Sequence, residues 1–287
     1  MYLLLIASVL AACVNSVLLH KAKIEGKGSV YTFNLFSSLL WCVLLFAVNL
    51  GKITVDFQVL LWAVIYGIVQ ALFIFFKTNA MNSGPVAITT LIGNSSLLIS
   101  VVFSFVVWNE PIGIFKFIGI LFLLLALVLC TYKKSGDSSF SKKWLFYTLF
   151  FLVFAASVGL VFKAFSKTPV KAMADDMMFV SAVVMSVSFF VLSLLSGGFK
   201  TIKKTGFNIK PFIFFAVVSG VLSCLYNRLN IYLSGELNAV IFFPCFNGGV
   251  ILLSTLLSVI TCKEKLTKRQ ILGIIIGILA ISIISIF

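Results

Sequence analysis

Two cations stand inside long apolar runs, where a charge is costly and calls for a function. Lys77 lies in FIFFKTNAMNSG and Arg228 in CLYNRLNIYLSG. Each is followed two residues on by an asparagine, Asn79 or Asn230, and six residues on by Ser-Gly. A pair of such cations could bind an anionic or zwitterionic solute. Each also lies near enough to a run's end to snorkel to headgroups. Asn15, Asn34, Asn94 and Asn247 are further amides within apolar runs. An unpaired amide in hydrocarbon costs several kcal/mol. Each must therefore meet another helix or a wet cavity. The candidate solute-binding set is Asn15, Lys77, Asn79, Asn94, Tyr226, Arg228, Asn230 and Asn247. Nothing in the pattern calls for a catalytic group or a cofactor.

Acidic groups are scarce. The eight carboxylates all fall outside the middle of the apolar runs. Glu110, Glu236 and Glu264 sit at run ends, where dipole or headgroup contacts are expected, although Glu236 leaves room for proton coupling. Asp175 and Asp176 are expected to cap the seventh helix. The single histidine, His20, stands beside Lys21, and no nucleophile–base pairing accompanies it. An enzyme is therefore disfavoured. The six cysteines are scattered, with no CxxC spacing, so neither a metal site nor a disulfide framework is expected.

The elements that hold these residues are membrane helices. Of 287 residues, 61% are hydrophobic and 10% charged, too apolar for a soluble domain of this length. The apolar residues fall in runs of about 20, the length that crosses a hydrocarbon core. The expected spans are 2–20, 31–50, 58–80, 86–108, 112–132, 144–164, 176–197, 211–233, 237–260 and 268–287. Leu10-Ala11-Ala12-Cys13 looks like a lipoprotein cleavage box, but no basic segment precedes it and the apolar run continues beyond it, so it is read as part of the first helix. Pro85, Pro111 and Pro211 fall at helix starts, and Pro244 should bend the ninth span. Gly84 and Gly235 are hinge candidates, and Gly273 and Gly277 form a GxxxG pair that permits close packing within the chain or across a homodimer. The net charge of +14 belongs to lysine-rich loops that touch lipid headgroups, not to a nucleic-acid surface. Lysine outnumbers arginine 20 to 2, the bias of an AT-rich bacterial genome.

The two halves repeat each other. Lys77-x-Asn79 and Ser83-Gly84 match Arg228-x-Asn230 and Ser234-Gly235. Asn94 matches Asn247, Glu110 matches Glu264, Gly119 matches Gly273, and Lys21-Ala22 matches Lys163-Ala164. Five spans per half is odd, so the halves must enter the membrane with opposite orientation, a recurrent plan of secondary transporters. The chain is thus read as all-α and polytopic: residues 1–132 as one five-helix repeat, 133–143 (KKSGDSSFSKK) as a cytoplasmic linker, and 144–287 as the inverted repeat.

The span pattern, Trp108-Asn109-Glu110-Pro111 followed by Gly119, and its echo Cys262-Lys263-Glu264-Lys265 followed by Gly273 resemble the EamA-type transporters of the drug/metabolite transporter superfamily. The resemblance implies two inverted five-helix halves around a central cavity. That cavity would be lined by the third, fourth, eighth and ninth helices, with help from the first and sixth. Substrates in the superfamily range over amino acids, nucleobases, sugars, nucleotide-sugars and organic cations. Small multidrug members carry an acid in the first helix; here that stretch is Ala11-Ala12-Cys13-Val14-Asn15, which speaks against cation antiport of that type. A secondary transporter of a small polar metabolite in the cell membrane is the expected function. A passive channel or a proton-coupled drug exporter is the alternative, and a membrane enzyme a remote one.

Fifteen loop Lys/Arg lie on the side of loops 1–2, 5–6, 7–8 and 9–10, against five on the other. The positive-inside rule puts the fifteen in the cytoplasm and both termini outside. Reporter fusions at Phe287 should therefore be active as periplasmic or extracellular fusions and silent as cytoplasmic ones. The reverse pattern would invert this topology.

Overall fold

In a lipid core a segment must satisfy its backbone polar groups within itself, and a helix does so. The computed structural model describes residues 1–22, 24, 26–131, 141–198, 209–262 and 267–286. The helices are α1 (Tyr2–Ala22), α2 (Lys27–Val48), α3 (Phe57–Ser83), α4 (Val86–Asn94), α5 (Ser96–Trp108) and α6 (Ile114–Thr131). They continue with α7 (Lys142–Phe165), α8 (Ala174–Leu195), α9 (Ile209–Glu236), α10 (Ala239–Cys262) and α11 (Lys268–Ile286). A 3-10 turn, Lys171–Met173, leads into α8. The described residues contain nine segments long and apolar enough to cross a membrane, with α4 and α5 counted as one, and the shorter apolar segment Ile114–Cys130 makes ten. The linker stretch up to residue 140, and the Lys263-Glu264-Lys265 echo, lie outside the described residues.

Local chemistry sets the ends. The Asp56 carboxylate accepts from the Gln58 N–H at the start of α3, and the Ser141 hydroxyl accepts from the Trp144 N–H at the start of α7. Pro85 is the N-cap of α4, Pro211 lies in the first turn of α9, and Pro244 falls inside α10. The expected fourth span is in fact two helices meeting at Ser95, whose N–H still reaches Leu91 O and Ile92 O. Gly235 is helical, in the last turn of α9, not in a connecting turn as expected. Gly84 follows α3 in extended conformation, and a Cβ there would fall on the Trp144 indole.

The packing is organised by pairs. α2 packs on α8 and α6 on α11. α3 packs on α7 and α8, while α9 packs on α1 and α2. This exchange of partners is compatible with a two-fold relation between the halves. Small residues mediate the close approaches. A Cβ at Gly67 of α3 would meet Val184 Cβ and Ser181 O of α8, and one at Gly220 of α9 would meet Leu40 and Ser37 O of α2. Gly119 of α6 lies against Ala280 O and Ile284 of α11, and Gly273 of α11 lies against Ala126 O and Cys130 of α6. Gly277 abuts Leu252 of α10, so both glycines of the GxxxG pair are used within the chain.

At Gly67 the added Cβ would sit 2.7 Å from Val184 Cβ, a branched and stiff neighbour. Gly67→Ala should destabilise the protein by about 1–3 kcal/mol, read as a lowered melting temperature in detergent. Gly113→Ala, with nothing within 4 Å, should leave it unchanged.

Candidate functional site

Two regions concentrate polar side chains: an interior band and one end of the bundle. In the band, α3 turns Tyr66, Gln70, Phe73 and Lys77 onto one face by helical spacing. The exposed residues Phe57, Leu61, Ile65 and Ile68 mark the opposite, lipid-facing side. Tyr66 is fully buried and its ring stacks on Phe162 of α7 at 4.4 Å. Its hydroxyl donates to Asn227 Oδ1 of α9 at 3.3 Å. The Tyr66–Asn227 bond thus ties α3 to α9, and Asn227 Nδ2 donates in turn to Ser223 O within α9.

This network leaves groups over. Asn15 is 7% exposed, yet its Oδ1 has no hydrogen-bond partner, and neither has the buried Gln70 Oε1. The Lys77 ammonium lies over the Phe73 ring, 5.7 Å from its centroid, and has no hydrogen-bond or ion-pair partner among the described residues. Asn94 ends α4 at the Ser95 break and Asn247 follows Pro244 in α10. Both are half-buried and no side-chain bond engages either among the described residues.

The other predicted residues are placed differently. Asn79 is taken up by Lys27 Nζ and Tyr31 OH from α2 and by Phe75 O. Asn230 accepts from the Ser8 hydroxyl of α1 at 2.7 Å. These repeat mates serve as ties between helices. Arg228 stands on the stripe of exposed residues Val217, Val221, Leu225 and Tyr232, facing outward. Its Nε and Nη2 each donate to Asp175 at 2.7 Å. Lys77 and Arg228 therefore match in sequence but occupy opposite faces of their helices. Asp175 does not cap α8, nor does Asp176. The cap residue is Met173, which makes no side-chain cap bond, and Asp176 accepts from the Thr54 hydroxyl at 2.9 Å instead. Asp175 and Asp176 follow the cap inside the first turn and reach the neighbouring segments.

The end of the bundle holds what sequence reasoning missed. Glu110 is buried, not in contact with headgroups, and Lys163 is buried, not in a loop. Lys163 Nζ lies 3.1 Å from Glu110 Oε1 and donates to Leu237 O at 2.7 Å. Glu110 Oε2 accepts from the Ala239 N–H at 2.7 Å. One ion pair thus fastens the end of α5, the last turn of α7 and the turn between α9 and α10. The preceding residues serve it. Asn109 adopts the left-handed conformation that ends α5, with φ 50°, and Lys167 lies over the Trp108 ring. The placement of Lys163 two residues before the end of α7 was the available signal, but its partner is distant in sequence.

The ten apolar helical spans among the described residues are those of a multi-pass membrane protein. Residues 1–132, a little under half of the chain, match the EamA-like transporter family. The fold is shared with a solved crystal structure of a protein at 12% identity and a TM-score of 0.72, covering 99% of this chain and 97% of that one. No curated protein matches it in sequence.

Removing one member of a buried ion pair strands the other. Glu110→Ala or Lys163→Ala should cost about 3–5 kcal/mol, seen as a large drop in melting temperature. Glu110→Gln with Lys163→Met should recover part of that loss. A double variant as unstable as the worse single one would show that packing, not charge pairing, holds this end.

Proposed function

We propose that the protein is a secondary transporter of a small polar metabolite, working by alternating access through the band between its two halves. The observation that carries this reading is the set of buried polar atoms without a hydrogen-bond partner among the described residues, Asn15 Oδ1, Gln70 Oε1 and Thr148 Oγ1, together with the Lys77 ammonium that lies over the Phe73 ring. In a low-dielectric interior such groups are costly until something pairs with them. Two amide oxygens call for N–H or O–H donors, and the ammonium calls for an acid. An amino-acid-like zwitterion, or an organic anion that also carries donors, supplies both. Tyr66 and Phe73 offer it aromatic walls.

The exchange of packing partners between α3 and α9 supports a reading of 1–132 and 144–287 as interchangeable halves. The Glu110–Lys163 pair would then lock one end while solute enters from the other. The repeat carries the same residue types at the matching positions, Lys21 and Glu264, so either end has the charges for such a lock. By loop charge, the Glu110 end faces outward.

A panel of metabolites tested by thermal shift on purified protein should find stabilisers among anionic and zwitterionic compounds bearing N–H groups. Lys77→Ala should weaken their binding roughly 10- to 100-fold, the effect of losing a hydrogen bond to a charged group. Arg228→Ala should leave binding intact, since Arg228 faces outward on Asp175. If no such compound stabilised the wild type, or Lys77→Ala bound it equally well, this substrate class would be wrong. Trans-stimulation of uptake by the same solute in proteoliposomes should occur in a carrier and not in a channel.

A further inference from the structure

A cleft of about 530 Å³ opens where the end of α7, the turn before α8 and the last turns of α9 meet. It is separate from the interior band. Its walls include Leu225 and Tyr232, which are 50% and 52% exposed and belong to the outward stripe of α9. Four charged residues also line it: Lys171, Asp175, Arg228 and Glu236. From Arg228 to Glu236 the helix rises roughly 12 Å, so the cleft runs from the helix end, at the depth of headgroups, into the hydrocarbon. Arg228 and Asp175 satisfy each other through two bonds. Lys171 and Glu236 have no side-chain partner among the described residues. What remains is one free cation and one free anion above an apolar wall that faces the bilayer.

We propose that this cleft seats a phospholipid whose headgroup carries both a phosphate and a primary ammonium, as phosphatidylethanolamine does. The phosphate meets Lys171, the ammonium donates to Glu236, and an acyl chain lies along Leu225 and Tyr232. A quaternary ammonium has no N–H to give Glu236, so a choline headgroup fits less well. An anionic headgroup meets repulsion from Glu236, and the four charges of the cleft sum to zero. The occupant has the net neutrality and the charge order that the cleft lacks partners for.

Native mass spectrometry of the full chain, exchanged into an equimolar mixture of phosphatidylethanolamine, phosphatidylcholine and phosphatidylglycerol, tests this directly. The wild type should retain phosphatidylethanolamine over each of the others by roughly fivefold, the worth of one lipid–protein charge contact near the surface. Glu236→Gln should turn the preference toward phosphatidylglycerol, because Lys171 is then unopposed. Lys171→Gln should lower retention of phosphatidylethanolamine by a similar factor. Melting curves without added lipid should show both variants folded. Equal retention of the three lipids by the wild type, a wild-type preference for phosphatidylglycerol, or an unchanged order in Glu236→Gln would each overturn the assignment.

Discussion

Every polar group at hydrocarbon depth needs a partner, because no water is there to supply one. That constraint makes all ten spans helical, and it also sorts the side chains. Serines and threonines answer it locally: Ser104 donates to Ser100 O, Ser181 to Met177 O and Ser186 to Ala182 O, one turn back. Others answer it across helices, as Ser38 and Ser186 do between α2 and α8, or Trp41 and Ser223 between α2 and α9. The charged residues answer it in pairs, Glu110 with Lys163 and Arg228 with Asp175. Against that accounting, the few groups left unpaired among the described residues, Asn15 Oδ1, Gln70 Oε1 and Thr148 Oγ1, carry meaning, and the first two are a reason to place a solute in the interior.

The spans were legible because crossing a bilayer is a one-dimensional requirement, met by a run of apolar residues of sufficient length. The faces were harder to read. α3 is apolar nearly all round apart from Gln70 and Lys77, whereas α9 carries Ser219, Ser223, Asn227, Asn230 and Ser234 at helical spacing, a stripe that turns inward and lies opposite Arg228. Lys77 and Arg228 have matching neighbours, yet one points at Phe73 in the interior and the other at Asp175 on the outside. The decision is made by packing: α3 buries Tyr66 against Phe162, while α9 buries Asn227 and Asn230 and so turns Arg228 away. Gln70 went unremarked for the same reason. It is a single polar residue in an apolar run, and only its place one turn beyond Tyr66 gives it a role.

The Glu110–Lys163 pair shows a second limit. Its members are separated by two spans and a linker in sequence, and each sits near a helix end, where a charge needs no explanation. Burial gives it one. A pair this deep contributes little net stability against an apolar substitute, since desolvation offsets the attraction. What it adds is selectivity between arrangements. It is favourable only when the end of α5, the last turn of α7 and the α9–α10 turn are together, and it leaves two stranded charges when they part, unless water follows.

That property suits an end that must open and shut. An apolar contact loses its worth gradually as surfaces slide, whereas a buried ion pair is either made or solvated. Opening this end would admit water to Glu110 and Lys163, which repays much of the cost of separating them. The energetic gap between closed and hydrated-open states can therefore be small even though a dry, half-open state is costly. Two states of similar free energy with a steep ridge between them are what a carrier requires. On the proposed mechanism, the solute's contacts with Asn15, Gln70 and Lys77 need only a modest difference in strength between the two states to shift the balance, and the fastening at Glu110 keeps the intermediate leak path closed.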